Sequence, residues 1–463
     1  MGTISDKLMR IINTKEDIRQ ALISKGYDVP TSIPFKEYAK MILDLPCNAD
    51  SFPDIEGIVA RYSASGLTNE QMAANPVWVD KTGNGHDIQL KNFSWKEGSG
   101  ISDVYPGALV FDGVDDCGVC DNFPILTKEK GYTVVVLRQW DQDFLNTTLT
   151  GGLLSTRNYS TGEGVAFEKI ESSNKGYWNL GAGGIIDFAK SPFTWQTSKQ
   201  YNNVGILKGD KNHGKPLCVG CGLSGGQQCG RFAIWELVFL DHDATEEELT
   251  KIKDYFVKTY PWLFPDQAWT VTGKTNEDED RATIANITGN GNDLVLSNFG
   301  FAEGSGYNEE GEYAGYLVTD GVDDKIISSI FKMGNDWTVI GDWELINTGK
   351  NDNAGIVKFD SIVIYNYNYN SILINIKNGR NILIPDQNTV NAICSDGRIY
   401  SKDWKESIYN EETESTSKNF LTIGYSGNAY TKIAFKNLAI YPTVLSREDC
   451  IKAYNYLQTL KAK

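Results

Sequence analysis

The chain has 463 residues, of which 41% are hydrophobic and 22% are charged, and its formal net charge is −16. This length allows two or three domains with complete cores, and the composition is typical of a globular protein. The acidic balance argues against nucleic acid or an anionic membrane as a partner, because both bind clustered Lys and Arg. No run of about 18 apolar residues occurs, so the sequence predicts no membrane insertion.

Residues 1–46 carry apolar side chains at helical spacing, which predicts short helices. Thr14 followed by Asp17 is typical of a helix start, and Gly26 of a helix end. Because short helices with narrow apolar faces bury little surface alone, we expect this segment to dock on a partner. A small autonomous helical cap is the alternative. The residues expected to make the docking contacts are Leu8, Ile11, Ile12, Ile18, Leu22, Phe35, Tyr38 and Ile42.

Residues 47–56 are polar and contain a proline, which predicts a linker. Beyond the linker, one stretch occurs twice: TGNGHDIQLKNFSWKEGSG followed by ALVFDGVDD, and TGNGNDLVLSNFGFAEGSG followed by YLVTDGVDD. Eight of the first twelve residues match. A spacing of roughly 200 residues is too long for a solenoid repeat and has the size of a domain. The sequence therefore predicts a duplicated module, residues 57–262 (module 1) and 263–463 (module 2).

Short runs of alternating apolar and polar residues, separated by Gly, Asn and Asp, predict many strands in both modules. Each module also ends in a strand and a capped helix, with Thr245 and Glu248 at the first cap and Ser446 and Asp449 at the second. The clearest strand segments are 132–140, 216–220, 231–240, 336–346, 361–376 (two strands), 392–404 (a hairpin at Asp396-Gly397) and 433–442. The predicted fold class is mainly β: two tandem jelly-roll sandwiches, each closed by a C-terminal helix and preceded by a small α-helical segment.

The two repeated motifs are interpreted as turns. TGNG suits a tight turn that needs positive φ, and DGVDD follows an apolar strand, so we expect it to turn the chain between neighbouring strands. A structural role is favoured over a catalytic one.

The strand with its DGVDD turn, the Asp-Gly hairpin and the final strand with its capped helix resemble the laminin-G-like, concanavalin A-like jelly rolls. The segment ISDKLMRIINTKEDIRQALISKGYDVP, together with GKTNEDEDRATI and TGNGND, resembles virion proteins of tailed phages of gut Bacteroidales, including crAss-like phages. Module 1 carries a degenerate version of these motifs, SGLTNEQMAANPVWVDKTGNGHD. The resemblance covers nearly the whole chain.

This resemblance implies a virion surface protein, a head or tail fibre or a decoration, made in the host cytoplasm and displayed on the particle. Residues 1–46 would attach it to capsid or tail proteins, and the jelly rolls would project outward as a homotrimer. The expected ligand is a host-surface polysaccharide. Two alternatives are a purely structural decoration without a ligand and a bacterial cell-surface lectin; the N-terminus lacks the apolar core of a signal peptide, which argues against the latter.

The candidate glycan-binding residues are Tyr365, Tyr367 and Tyr369, which alternate with three asparagines. Alternation along a strand places the three tyrosines on one face and the asparagines on the other. An exposed tyrosine face would be a platform for sugar rings, whereas a buried one would be core packing. Both interpretations remain open from the sequence.

The sequence predicts a non-enzymatic protein with no catalytic residues. The paired carboxylates of concanavalin-like glycosidases, E-x-D-x-x-E, are absent from the sequence. The three histidines, His86, His213 and His242, lie in polar contexts and none recurs in module 2. The GKT at residues 273–275 has Ala268 where a phosphate-binding loop requires glycine.

No cofactor is expected. The motifs CGVC (117–120) and CVGC (218–221) would offer four thiolates to zinc if their strands were adjacent, but side chains three apart on a strand point to opposite faces. Inert buried thiols are expected, with a disulfide formed after release as an alternative. Calcium, which laminin-G-like modules often hold, would use Asp115, Asp116, Asp323 and Asp324.

Overall fold

The computed structural model describes most of the two modules and little of the N-terminal segment. The described residues are 52–124, 126, 131–149, 151–155, 166–169, 175–178, 185–187, 193–197, 217–223, 227–329, 331–332, 334–346, 355–359, 362–367, 371–376, 380–384, 390–408, 418–419, 421–426 and 429–462, together with Lys15 and Arg19. Met1–Asp54 and Ile55–Lys463 are separate compact units. The docking residues predicted between Leu8 and Ile42 lie outside the described residues.

Module 1 is formed by two sheets, which we call A and B. Sheet A has the strand order β12-β7-β16-β5-β4, with β1 also paired to β16; sheet B has the order β11-β10-β9-β8-β13-β6-β3-β2, with β15 joining β14 to β8. The strands are β1 (Ile58–Ser63), β2 (Val77–Trp78), β3 (Ile88–Lys91), β4 (Gly100–Ile101), β5 (Leu109–Asp112), β6 (Cys117–Cys120), β7 (Thr133–Trp140), β8 (Gly151–Ser155), β9 (Ala166–Lys169), β10 (Lys175–Trp178), β11 (Ile185–Asp187), β12 (Phe193–Thr197), β13 (Leu217–Val219), β14 (Cys221–Leu223), β15 (Gln227–Cys229) and β16 (Arg231–Leu240).

Module 2 is formed by sheets C and D. Sheet C has the order β20-β21-β36-β24-β29-β30-β31, with β17 paired to β36, and sheet D the order β18-β19-β22-β33-β25-β26-β27-β28. The strands are β17 (Gln267–Thr270), β18 (Thr283–Ile284), β19 (Leu294–Ser297), β20 (Gly306–Asn308), β21 (Tyr316–Val318), β22 (Lys325–Ser328), β23 (Phe331–Lys332), β24 (Thr338–Leu345), β25 (Gly355–Phe359), β26 (Ile362–Tyr367), β27 (Ser371–Ile376), β28 (Arg380–Ile384), β29 (Val390–Cys394), β30 (Arg398–Ser401), β31 (Glu406–Ile408), β32 (Lys418–Asn419), β33 (Leu421–Ile423), β34 (Tyr425–Ser426), β35 (Ala429–Tyr430) and β36 (Ile433–Tyr441).

The two modules share one topology. In sheet A the longest strand, β16, lies between β7 and β5, and in sheet C its counterpart β36 lies between β24 and β21. The first strand of each module, β1 or β17, pairs with that same long strand near its C-terminal end. The mainly β fold is thereby confirmed, as are the hairpin between β29 and β30 and the two strands within 361–376.

The helices lie at turns and module ends: α1 (Asn69–Ala74), α2 (Gln142–Leu145), α3 (Glu246–Thr259) and α4 (Arg447–Gln458). The Thr245 side chain accepts from the Glu248 amide at the start of α3, and the Glu248 carboxylate accepts from the Thr245 amide. Ser446 caps α4 in the same way by accepting from the Asp449 amide. These caps confirm the predicted closing helices, because they satisfy amides that the first helical turn leaves without partners.

Each module has one core between its two sheets, and strand alternation produces it. In β3, Ile88 and Leu90 are buried while Gln89 and Lys91 are exposed. The core of module 1 is rich in aromatic side chains, among them Tyr62, Trp78, Phe111, Trp140, Phe232 and Phe239. The core of module 2 contains Trp269, Phe299, Tyr307, Trp337, Trp343 and Phe435. Burial of each large apolar side chain contributes about 1.5–3 kcal/mol of hydrophobic free energy.

The outer face of sheet A carries a polar network that contacts α3 and the chain after it. The Arg61 guanidinium pairs with the Glu236 carboxylate through two hydrogen bonds of 3.2 Å, and both residues are buried. Tyr255 on α3 accepts from Arg61 at 2.9 Å, and Tyr260 donates to Glu236 at 2.7 Å. The network satisfies two charges that would otherwise be costly in a buried position.

Helix α4 contacts both modules. Its Tyr456 hydroxyl lies 3.2 Å from Gln139 Oε1 of β7, and its ring packs edge-on against Trp235 of β16 at 6.3 Å between centroids. The Tyr441 hydroxyl of β36 donates to the carbonyl of Trp262, in the turn that follows α3, at 3.0 Å. Because these side chains are buried, the two modules form a packed contact with each other.

Candidate functional site

The TGNG motifs form turns that are held by the side chain two residues before the motif. Asp80 Oδ1 accepts from the Arg61 amide at 3.1 Å, from the Thr82 amide at 3.0 Å and from the Thr82 hydroxyl at 2.8 Å. Gly83 and Gly85 have φ of 79° and 80°, the left-handed region that favours glycine. The motif is therefore a tight turn with positive φ, as its sequence predicted, and Asp80 ties it to strand β1.

Module 2 repeats this arrangement with an amide in place of the carboxylate. Asn286 Oδ1 accepts from the Ala268 amide at 3.2 Å, from the Thr288 amide at 3.0 Å and from the Thr288 hydroxyl at 2.9 Å. Its Nδ2 additionally donates to Gln267 Oε1. The side-chain oxygen is the element that both copies need, since it alone accepts the three hydrogen bonds.

One asparagine in each module takes the place of a strand partner. Asn69 accepts from the Ile101 amide at 2.7 Å and donates to the Ile101 carbonyl at 2.8 Å. Asn276 makes the same pair of bonds with Tyr307, both at 2.8 Å. The asparagines of the LTN (67–69) and KTN (274–276) segments thus provide hydrogen-bond partners for backbone groups of the edge strands β4 and β20.

The DGVDD motif of module 1 is a tight turn around its first carboxylate. Asp112 Oδ1 accepts from the backbone amides of residues 114–116 at 2.7, 3.3 and 3.4 Å. Asp116 Oδ2 accepts from the Asp112 amide at 3.0 Å, and its Oδ1 accepts from the Ser99 hydroxyl at 3.0 Å. The turn joins β5 of sheet A to β6 of sheet B, so it carries the chain from one sheet to the other. The expectation of a turn between neighbouring strands was wrong in this respect, because the strands are consecutive but not paired.

The DGVDD motif of module 2 has the same geometry. Asp320 Oδ1 accepts from the amides of residues 322–324 at 2.7, 3.2 and 3.3 Å, and Asp324 Oδ2 accepts from the Asp320 amide at 2.8 Å. Gly113 and Gly321 adopt φ of 77° and 75°. Within the motif the carboxylates mainly accept from backbone amides, which is the chemistry of a scaffold turn.

Burial perturbs one carboxyl of each turn. Asp116 and Asp324 are fully buried, and burial, opposed by hydrogen bonds from a serine and a backbone amide and assisted by neighbouring carboxylates, raises the pKa of each to about 6. In the part of the chain that the structure describes, Asp112, Asp115 and Asp116 form one cluster with ligand atoms within 4.8 Å of each other, and Asp320, Asp323 and Asp324 form the other. Carboxylate oxygens suit Ca²⁺, but a calcium site needs about six or more ligands.

Strand β26, which contains the predicted glycan-binding residues Tyr365 and Tyr367, belongs to sheet D. The backbone of β26 pairs with β25 on one side and β27 on the other, well inside sheet D. The side chains of Tyr365 and Tyr367, and the whole of Tyr369, lie outside what the structure describes. Elsewhere in sheet D, Val295 of β19 is 51% exposed, and in sheet B the alternate residues of β3 are exposed. Strands β3 and β19 thus present outward-facing side chains, whereas β8 and β13 of sheet B and β33 of sheet D are buried along their whole length.

The four thiols of the C-x-x-C motifs do not come together. Their strands β6 and β13 are adjacent and antiparallel, with Val219 opposite Gly118, but Cys120 donates to Asn122 and Cys218 is not part of the cluster of buried thiols. Cys117 and Cys221 instead cluster with Cys229, which belongs to neither motif. Sequence reasoning missed Cys229 because its position depends on a strand register that spacing does not reveal.

One histidine lines a small pocket that the sequence did not single out. His242 Nε2 lies 3.1 Å from Glu248 Oε1, and its Nδ1 lies 3.5 Å from Asp241 Oδ1. Glu56 and Gly57 complete the lining of this pocket, whose volume is about 420 Å³. The imidazole lies between two carboxylates at the start of α3, and His213 lies outside the described residues.

Among the described residues no helix is both long and apolar enough to cross a membrane.

No family model matches the chain, and no curated protein matches it. Solved structures to which the chain shows a partial similarity include the receptor-binding domain of botulinum neurotoxin type G, 13% identical, with a TM-score of 0.25 over 41% of this chain and 50% of that one. The receptor-binding domain of botulinum neurotoxin mosaic serotype C/D is 11% identical, with a TM-score of 0.31 over 84% of this chain and 98% of that one. Trypanosoma rangeli sialidase in complex with sialic acid is 8% identical, with a TM-score of 0.31 over 88% of this chain and 73% of that one. At these identities and TM-scores the similarity carries no conclusion about this chain.

Proposed function

We propose that the chain is a non-enzymatic surface protein of a phage particle and that its jelly rolls bind host-surface glycans. Residues 1–46 attach it to capsid or tail proteins of the same particle, as the resemblance of that segment implies. The two modules project outward from this attachment. The protein forms a homotrimer, which suits a symmetric attachment site.

The observation that carries the proposal is the exposure of side chains on one strand of sheet B and one strand of sheet D. Strand β16 of sheet A is buried except at Arg231, whereas alternate residues of β3 in sheet B and Val295 of β19 in sheet D are exposed. The backbone of β26, which contains Tyr365 and Tyr367, runs within sheet D. A sheet with aromatic and amide side chains at regular spacing offers stacking faces and hydrogen bonds to sugar rings.

The repeated motifs support a scaffold role rather than catalysis. Asp112 and Asp320 are each engaged by three backbone amides, and Asn69 and Asn276 each by one edge residue. A general acid or base must instead face a substrate at hydrogen-bond distance. With these groups engaged inside the modules, ligand binding is assigned to the sheet surface.

A glycan array probed with the full-length chain tests the proposal. Binding to bacterial polysaccharides is expected, and the combined change Tyr365→Ala, Tyr367→Ala and Tyr369→Ala is expected to weaken it at least tenfold. The matched control is Asn366→Ala, Asn368→Ala and Asn370→Ala, which changes the asparagines that alternate with the tyrosines in the sequence and leaves the tyrosines in place. Absence of binding to any glycan, or equal binding by both variants and the wild type, would overturn the glycan assignment.

A structural decoration without a ligand is the second candidate. The buried contacts of Tyr456 with Gln139 and Trp235 favour it, because they fix the two modules as a stiff spacer. The mass in solution of the full chain and of residues 47–463 distinguishes the candidates. A trimeric full chain with a monomeric truncation supports an N-terminal anchor that displays free modules, whereas two trimers favour a structural assembly made by the modules themselves.

A further inference from the structure

The register of β14 and β15 places two cysteines directly opposite each other. Cys221 pairs with Cys229 across these antiparallel strands. The Gly230 amide donates to the Gly220 carbonyl at 2.9 Å, so the neighbouring pair of cysteines occupies a non-hydrogen-bonded position. At such positions the two Cα atoms approach to about 4.5 Å, which is within the range that a disulfide spans.

The two sulfur atoms are also close. Cys221 Sγ and Cys229 Sγ lie 2.8 Å apart. Non-bonded carbon atoms, which are smaller than sulfur, make contact at roughly 3.5–4.0 Å, so the two sulfurs are closer than an ordinary non-bonded contact. Both side chains are buried, with Cys229 7% exposed and Cys221 0% exposed. Cys117, 4% exposed, completes the buried cluster beside Cys221.

We propose that Cys221 and Cys229 are a disulfide site, which closes the β14–β15 ribbon of module 1 when the protein meets an oxidising solution. The assignment rests on the strand register and on the proximity of the two sulfurs, and it is independent of glycan binding. The cytoplasm keeps such a pair reduced, and an oxidising exterior forms the bond.

The bond forms by exchange with a small disulfide such as oxidised glutathione. The Cys229 thiolate attacks one glutathione sulfur, breaks the S–S bond of glutathione disulfide and releases the first glutathione as a thiolate, which leaves a mixed disulfide on Cys229. The Cys221 thiol gives its proton to that thiolate and attacks Cys229 Sγ, which releases the second glutathione thiolate, and this thiolate takes up the proton that Cys229 lost. Two protein thiols are oxidised and one glutathione disulfide is reduced to two thiols.

The order of attack follows from the surroundings of the two thiols. A hydrogen bond from Cys221 lowers the pKa of the Cys229 thiol, and Cys229 is also the more exposed of the pair. The thiolate is the attacking form, so Cys229 reacts first and Cys221 resolves.

Module 2 has the same cross-strand position without cysteines. The Thr431 amide donates to the Gly424 carbonyl at 2.9 Å, and Tyr425 pairs with Tyr430 across β34 and β35. The position therefore folds in module 2 with other side chains. The site is a property of module 1, and its reduced form is expected to fold.

Differential alkylation of the full-length chain tests the site. The protein is equilibrated with reduced and oxidised glutathione, the remaining free thiols are blocked, and the peptides are sequenced by mass spectrometry. A cross-link between Cys221 and Cys229 is expected under oxidising buffer, with complete loss on treatment with dithiothreitol. This arm uses the wild-type chain and needs no variant to fold.

Three serine variants define which sulfurs react. Cys229→Ser is expected to abolish the Cys221–Cys229 cross-link, whereas Cys218→Ser and Cys117→Ser are expected to retain it. A wild-type cross-link between Cys218 and Cys221, or between Cys117 and Cys221, would overturn the assignment. Free Cys221 and Cys229 thiols at the most oxidising ratio would overturn it as well.

Discussion

In each module a core side chain donates a hydrogen bond to the backbone of the loop that contains TGNG, but the donor residue differs between the modules. In module 1 the Tyr62 hydroxyl donates to the carbonyl of His86, and in module 2 the Trp269 indole donates to the carbonyl of Asn292 at 3.0 Å. His86 and Asn292 occupy the same position of the repeated loop. The backbone of this loop is therefore the preserved feature, because its turn geometry limits the residues it accepts, while the core residue that supports it has changed freely.

The outer faces of sheets A and C diverge further. Module 1 buries the ion pair of Arg61 and Glu236 beneath two tyrosine hydroxyls. The matching positions in module 2 hold Ala268 and Asn437, and in the described part of the chain the buried Asn437 amide has no hydrogen-bond partner. At these two positions module 1 thus has a buried, hydrogen-bonded ion pair, and module 2 has an uncharged alanine and asparagine.

The largest effect is expected from Glu236→Ala. The variant leaves the Arg61 charge buried without its main partner, so the free energy of unfolding should fall by about 3–5 kcal/mol. Chemical denaturation of the full-length chain measures this change. A loss below about 1 kcal/mol would mean that the pair behaves like an exposed ion pair.

The double variant Arg61→Ala with Glu236→Asn sharpens the comparison, because it gives module 1 the residues of module 2. Removal of both charges avoids an isolated buried cation, so its loss of stability should be smaller than that of Glu236→Ala alone. If the double variant loses as much free energy of unfolding as Glu236→Ala, or more, the main role of the network is not to compensate the buried Arg61 charge.

Tyr456→Ala tests the contact between the modules. The variant removes a buried ring and its hydrogen bond to Gln139, and a loss of about 3 kcal/mol is expected from similar aromatic truncations. The variant should weaken the packing between the two modules, so that they unfold independently. Calorimetry should then resolve two unfolding transitions, and a single transition is expected for the wild type. Tyr456→Phe is the matched control, since it keeps the ring and should keep a single transition.

Asn69→Ala and Asn276→Ala should have nearly equal effects. Each removes two hydrogen bonds to one edge residue and leaves backbone groups of Ile101 or Tyr307 without those partners, at a cost of about 2 kcal/mol. Denaturation of each variant measures the cost. A difference larger than about 1 kcal/mol between them would show that the repeated asparagine supports the two modules unequally.

The fold could be predicted from local patterns that each carry their own physical cause. Thr245 and Ser446 were identified as helix caps, and Asp396-Gly397 as a hairpin turn, because those residues satisfy or permit a particular backbone geometry. The path of DGVDD could not be predicted in the same way. A turn motif fixes the local dihedral angles, whereas the sheet that receives the next strand is decided by long-range pairing.

The candidate sites were harder to predict for the same reason. Cys229 lies outside both C-x-x-C motifs and meets Cys221 only through the register of β14 and β15. The pocket at His242 likewise combines residues from the start of module 1 and the start of α3. The glycan-binding strand is predicted from its composition, and which face it exposes depends on packing that alternation alone does not determine.

The smallest effect is expected in the pH dependence of stability. Folding raises the pKa of Asp116 and Asp324 from an ordinary value of 3.8 to about 6. A raised acid pKa means that the folded state binds the proton more tightly than the unfolded state does. The stability from each group is therefore fully present below pH 3.8 and is lost as the pH rises through about 6.

Asp324→Asn removes one titrating group, so its stability relative to the wild type should improve by about 1–2 kcal/mol between pH 4 and pH 7. Unfolding free energies of both proteins across this range measure the difference. Asp116→Asn is the matched variant in module 1, where burial raises the carboxyl pKa to the same value of about 6. The two variants should improve by similar amounts, because a serine and a backbone amide oppose the effect of burial at both positions. A flat difference for both variants would mean that the two carboxyls keep ordinary pKa values, and that the DGVDD turns are less buried than their geometry indicates.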